Sequence, residues 1–207
     1  VIEEAKILTN ERGHLEGMDD AQIDNLWAKI GKAGLKYFLL KVDPKKNMTF
    51  DPKESIDLNG NTGPYIQYGF ARIKSLLQKS SLDDIFSPKA FELSDKELEV
   101  VKVISGFPEI LLNSSKDFSP SILANYLFSL VKSYNSFYQE SPVIKEQNKD
   151  LKLFRMQLSD LTSRILEKGM NILGVEMPER MWNKGGYFFE KDFFSFTLAA
   201  FPVLSLK

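Results

Sequence analysis

Two tyrosines and an arginine at helical spacing are the residues of this sequence best placed to do chemistry. Tyr65, Tyr68 and Arg72 stand at i, i+3 and i+7 within the stretch 61–73, so on a helix they share one edge. Aromatic rings stack on unpaired bases and a guanidinium grips phosphate, so such an edge suits single-stranded RNA. The same spacing also serves an ordinary boundary, with ring bodies inward and hydroxyls in water. Asn135 and Tyr138, on the edge and near the end of a second strongly periodic stretch, are candidates for the same work. Lys41, Lys45 and Lys46 form a small basic cluster that is either a solvated turn or a phosphate contact. There is one histidine, His14, which reads as an exposed loop residue rather than a catalytic base. There is no cysteine, so a disulfide framework and a thiolate metal site are excluded, and a histidine triad or zinc site is poorly supported. No catalytic, cofactor-binding or metal-binding residue is therefore assigned.

The elements that must position these residues emerge from periodicity and caps. Apolar residues make up 43% of the 207, enough for a real core. The formal net charge is −1, so any hold on nucleic acid must come from a local patch rather than a global field. No secretory signal is visible, and the opening at Val1 inside a helical pattern reads as a fragment of a longer protein. Residues 1–12 predict a helix with Ile7 and Leu8 inward, broken at 13–17. Asp19 or Asp20 caps a second helix with Ile23, Leu26, Trp27 and Ile30 on its buried stripe, and Gly31 and Gly34 either interrupt or close-pack the region up to Leu40. Residues 47–52 and 55–58 read as two short extended pieces around a turn.

After the joint at 59–61, Thr62 or Gly63 caps a helix that runs to about Lys79, with Pro64 in its first turn. Ile66, Phe70, Ile73 and Leu77 make its core face, and Gly69 would let another backbone come close. A loop spans 80–88. Ser94 and Glu97 form a capping box for a helix with Leu98, Val101 and Ile104 inward, stopped at 106–108 and followed by a short apolar turn. Ser119-Pro120 opens the clearest helix, whose stripe runs through Leu123, Tyr126, Leu127, Leu130, Val131, Tyr134, Phe137 and Tyr138. A last helix from about Lys149 to Leu173 places Leu151, Phe154, Leu158, Leu161, Ile165 and Ile172 inward, with Gly174 at its stop. Four capped helical segments joined by polar loops predict an all-α bundle. The Phe-rich stretch 182–207 is read first as a non-native or frame-altered extension, with an added packing helix or a membrane-surface segment as alternatives.

Several runs carry a family resemblance. Residues 62–73 resemble the "TGPYxQYAxARI" segment of arginyl-tRNA synthetases, with Gly69 where the family usually has Ala. Residues 34–40 resemble its "GALKYFxLK" run, residues 130–143 its "LAKxFNxFYxxxPV" run with Tyr134 for Phe, and 178–181 its closing "PERM". The resemblance covers residues 1–181 in order. It implies a mainly α fold: a remnant of the catalytic region at 1–60, a class I anticodon-binding helical bundle at 61–181, and an unmatched tail at 182–207. It implies a tRNA-binding part that recognises the anticodon stem-loop of arginine tRNA, while the full-length enzyme uses ATP with Mg to activate arginine in the cytoplasm as a monomer. Carried over by position, the implied tRNA contacts are Tyr65, Gln67, Tyr68, Arg72, Asn135, Tyr138 and Met181. The HIGH-type and KMSKS-type motifs are absent from these 207 residues, so no arginine activation is expected from them alone. The implied partners are arginine tRNA and the upstream catalytic domain, with no membrane. Two rival readings are a helical protein-interaction module without RNA binding, and the equivalent bundle of another class I synthetase. The runs at 50–55 and 62–68 argue against the second.

Overall fold

The computed structural model describes residues 1–12, 15, 17–79 and 92–181. His14, the loop at 80–88 and the tail at 182–207 lie outside the described residues. Among the described residues the chain forms eight helices and no strand. In order they are α1 (Ile2–Arg12), α2 (Asp20–Leu40), α3 (Pro52–Ser55), α4 (Gly63–Gln78), α5 (Asp95–Ser105), α6 (Phe107–Lys116), α7 (Pro120–Glu140) and α8 (Lys149–Ile172).

The caps read from sequence set most boundaries. Asp19 accepts from the Gln22 amide at 2.8 Å while the Gln22 side chain accepts from the Asp19 amide at 3.1 Å, a complete capping box for α2. Ser94 and Glu97 repeat the arrangement at α5. Thr62 caps α4 by accepting from the Tyr65 amide at 3.2 Å, with Pro64 in the first turn where its missing donor costs nothing. α8 stops at Gly174, whose φ of +70° suits a residue without Cβ; the amides of Gly174 and Val175 then bond back to Asn171 and Met170.

α7 is the axis of the core. It touches α2, α4, α5, α6 and α8, and buries Leu123, Ala124, Leu127, Leu130, Val131, Tyr134 and Phe137. Two crossings depend on glycine. A Cβ at Gly69 would fall 2.2 Å from a Val131 methyl, and one at Gly169 would fall 2.5 Å from a Leu127 methyl, so α4 and α8 approach α7 closely. α1 pairs with α2, and α2 lies against α4. A buried ion pair ties α5 to α8: Arg155 donates from Nε to Glu97 at 2.6 Å and from Nη1 to Glu146 at 2.7 Å and to the Pro142 carbonyl at 2.9 Å.

Beyond α8, residues 174–181 run back as a strap over α2 and α4. Lys36 donates to the Gly174 carbonyl, and Gln67 Nε2 donates to the Glu176 carbonyl at 2.8 Å. Lys29 pairs with Glu176 and Lys74 with Glu179, each at 3.6 Å. The strap ends with Met181 in a small second core beside Ala5, Leu26, Ile30 and Ala71.

Several sequence expectations are corrected. Ile7 is 47% exposed and α1 turns Ala5 and Thr9 inward, because small side chains let it lie close on its neighbours. Neither extended piece, 47–52 nor 55–58, forms a strand: residues 47–51 and 56–58 are irregular, and the expected turn between the pieces is the helical α3, capped by Asp51. Leu98 and Val101 are exposed, whereas Glu97 and Val100 are buried: the pull of Arg155 on Glu97 sets the phase of α5. Gly106 keeps a right-handed helical conformation, so residues 107–116 form α6 instead of a turn. Leu161 and Ile172 are exposed, while Ser159, Thr162 and Ser163 face the core with their hydroxyls bonded to carbonyls of their own helix.

Candidate nucleic-acid interface

The seam between α4 and α7 gathers five of the seven sequence candidates. Arg72 lies over two rings, with its Cζ 5.1 Å from the Tyr68 centroid and 5.6 Å from that of Tyr138. Both distances are within cation–π range. Its Nη1 donates to Asn135 Oδ1 at 3.0 Å, and Asn135 Nδ2 donates to the Tyr65 hydroxyl oxygen at 3.0 Å. Tyr138 also stacks on Tyr134, with centroids 6.1 Å apart and planes at 23°. Tyr134 is fully buried and donates to Ser159 Oγ at 2.9 Å. The cluster is thus a layered edge: Tyr68, Arg72 and Tyr138 half-buried at the surface, with Tyr65, Asn135 and Tyr134 behind them.

Burial raises the Tyr65 pKa above the ordinary phenol value, while the hydrogen bond from Asn135 and the charge of Arg72 act in the opposite direction. Its ring rests against Phe128, centroids 5.5 Å apart. The hydroxyl of Tyr65 therefore stays protonated at neutral pH, an acceptor for Asn135.

The other candidates sit elsewhere. Gln67 is fully buried and holds the strap. Met181 is 1% exposed and seals the second core. Tyr65, Gln67, Asn135 and Met181 thus present almost no side-chain surface to solvent, because each fills a packed or hydrogen-bonded place inside. Of the lysines, Lys41 is turned inward: it donates to the Asn61 carbonyl at 3.0 Å and lies 4.2 Å over the Phe38 ring, while Lys45 and Lys46 are exposed. Tyr134 was not a candidate in the sequence; its place four residues before Tyr138 on the same helix is the signal that points to it. Among the described residues, no group of three or more His, Asp or Glu side chains is arranged to hold a metal ion, and no helix is long and apolar enough to cross a membrane.

Among the described residues the chain is thus an all-helical bundle with tyrosines and an arginine gathered along one seam. Residues 66–181 match the family described as the DALR anticodon binding domain, and the chain belongs to that family. It is similar to the arginine–tRNA ligase of Parabacteroides distasonis, 45% identical over 185 residues that cover 87% of this chain and 31% of that protein. Among solved structures, Thermus thermophilus arginyl-tRNA synthetase is similar with a TM-score of 0.78 at 25% identity, over 86% of this chain and 30% of that one. Plasmodium falciparum arginyl-tRNA synthetase is similar with a TM-score of 0.75 at 29% identity, over 86% of this chain and 32% of that one. The chain thus spans 31% of the length of the Parabacteroides ligase.

Proposed function

We propose that this chain is the tRNA-recognising part of an arginine–tRNA ligase, which docks the anticodon stem-loop of arginine tRNA. The supporting observation is the layered Tyr68–Arg72–Tyr138 edge, which lies inside the family-matched span and offers rings and a cation together. Bases stack on such rings and phosphate pairs with the guanidinium. In this reading Tyr68, Arg72 and Tyr138 are the contacting side chains, while Gln67 and Met181 fix the strap. Residues 1–60 are a remnant of the catalytic region and 61–181 the recognition bundle.

The whole enzyme would use ATP with Mg to activate arginine and transfer it to the tRNA, in the cytoplasm and as a monomer. The chemistry belongs to an upstream catalytic domain. Without the HIGH-type and KMSKS-type motifs, these 207 residues have no phosphate cradle for ATP and nothing to stabilise departing pyrophosphate. The expected outcome for the purified chain is no arginine-dependent pyrophosphate exchange above background.

A gel shift with three RNAs tests recognition: arginine tRNA, a non-cognate tRNA, and arginine tRNA with an altered anticodon. Tighter binding of the first than of the other two supports the reading. Equal binding of all three rejects anticodon recognition, and binding of none rejects RNA binding.

A further inference from the structure

We infer that Tyr65 and Asn135 are positioning residues, which fix the Arg72 guanidinium for an RNA phosphate without touching the RNA themselves. This rests on the RNA-binding reading above and assigns two of its residues to a different task.

Hydrogen-bond polarity fixes the chain of contacts. A guanidinium only donates, so the Asn135 atom at 3.0 Å from Arg72 Nη1 must be the amide oxygen. The amide nitrogen then faces the other way, toward the Tyr65 hydroxyl at 3.0 Å, and that oxygen must accept. Each link dictates the orientation of the next. Without the Tyr65 hydroxyl, the Asn135 amide loses the partner that keeps its oxygen toward Arg72. A rotated amide would place an N–H against the guanidinium, where it can only repel.

Burial keeps the relay in place. Tyr65 is 7% exposed and Asn135 6% exposed, so water is a poor substitute for either partner. Tyr65 is held at the capped start of α4 and by the Phe128 ring; Asn135 is buried in the stripe of α7. The bridge also needs the two helices close together, and the Gly69–Val131 crossing lies between them, one turn from each end of the relay. Above it, the rings of Tyr68 and Tyr138 limit the swing of the guanidinium plane. An arginine ordered before the RNA arrives loses less rotamer freedom when it grips a phosphate.

The test uses the full 207-residue chain and arginine tRNA, with Kd measured across a salt series for wild type, Tyr65→Phe, Asn135→Ala, Arg72→Ala and the Tyr65→Phe/Arg72→Ala double variant. Tyr65→Phe removes one oxygen and keeps the ring, so it guards against an Asn135→Ala chain that fails to fold. Tyr65→Phe is expected to weaken binding about three- to tenfold, as loss of one buried hydrogen bond would. The log–log salt slope should fall by about one, as for a lost phosphate contact. In the Arg72→Ala background Tyr65→Phe should change neither quantity. A second readout needs no RNA: in spectra of chain labelled with 15N-arginine, rotation of the Arg72 guanidinium should be hindered in wild type and faster in Tyr65→Phe. If wild type binds and Tyr65→Phe matches it in Kd, slope and guanidinium rotation, the inference is overturned while RNA binding stands. It is overturned in the same way if Tyr65→Phe weakens binding equally in the Arg72→Ala background, since the hydroxyl then acts elsewhere. A wild-type chain that fails to bind arginine tRNA overturns both.

Discussion

Tyr138 connects the surface edge to the core, because one neighbour of its ring is Arg72 and another is the buried Tyr134. Replacing it by alanine removes a stacking surface and one of the rings beside Arg72. Tyr138→Ala should weaken binding to arginine tRNA by about 1–3 kcal/mol, the scale of one base–aromatic stack. A titration at fixed salt checks it, and an unchanged Kd removes Tyr138 from the contact set. The buried tyrosines make a separate prediction about pH. Burial raises the pKa of Tyr37 and Tyr134 and carries Tyr126 to about 12. The folded chain therefore holds phenolic protons that the unfolded chain releases near pH 10. Their contribution to stability is complete below that value and is lost as pH rises through the folded-state pKa. Above pH 10, stability should fall by up to about 1.4 kcal/mol per pH unit for each such group, which urea melts at a series of alkaline pH values would measure.

Among the elements, the α4–α7 crossing carries the candidate site, and Gly69 sets its distance. An added Cβ would meet Val131, a β-branched residue with little rotamer freedom to withdraw. Gly69→Ala should destabilise the chain by about 1–3 kcal/mol through overpacking, less the gain in helix propensity. Val131→Ala in the same chain should recover part of that loss, a coupling that denaturant melts of the two single variants and the pair would expose. The sequence made this contact legible in outline: Gly69 between two stripes announced a close approach, though not the residue on the other side. It misled where helices bury something other than large apolar groups. Leu98, Val101, Leu161 and Ile172 fit an apolar stripe and are exposed, because Glu97 is drawn in by Arg155 and Ser159, Thr162 and Ser163 let α8 pack closely. Hydroxyls that bond back to their own helix look polar in a sequence and behave as small core residues. The spacing of Tyr65, Tyr68 and Arg72 likewise put the three along one side of α4, but it could not say that Tyr65 lies beneath the other two. That depth depends on Asn135, which is distant in the chain.

At the scale of the whole molecule, the caps and the stripes of α4 and α7 gave the helical architecture, while the closing motif at 178–181 gave no hint of where it would pack. The strap is a tertiary feature: no local periodicity marks residues 174–181, and their places are set by Lys36, Gln67, Lys29 and Lys74 from two other helices. Met181→Ala should cost about 2–5 kcal/mol as a core cavity does, with faster amide exchange concentrated in α1 and the facing turns of α2. Exchange measured by mass spectrometry would check the location, and a uniform rise across α7 and α8 would contradict it.

That small second core has a consequence for how the chain is made. A ribosome delivers Ala5 before α2 and Met181 only after α8 has emerged. Until then the inner face of α1 lacks one of its partners, and a pairing so far apart in sequence is slow to find. The helix α1 is thus locked late, and its completion reports that α2 to α8 have already been built.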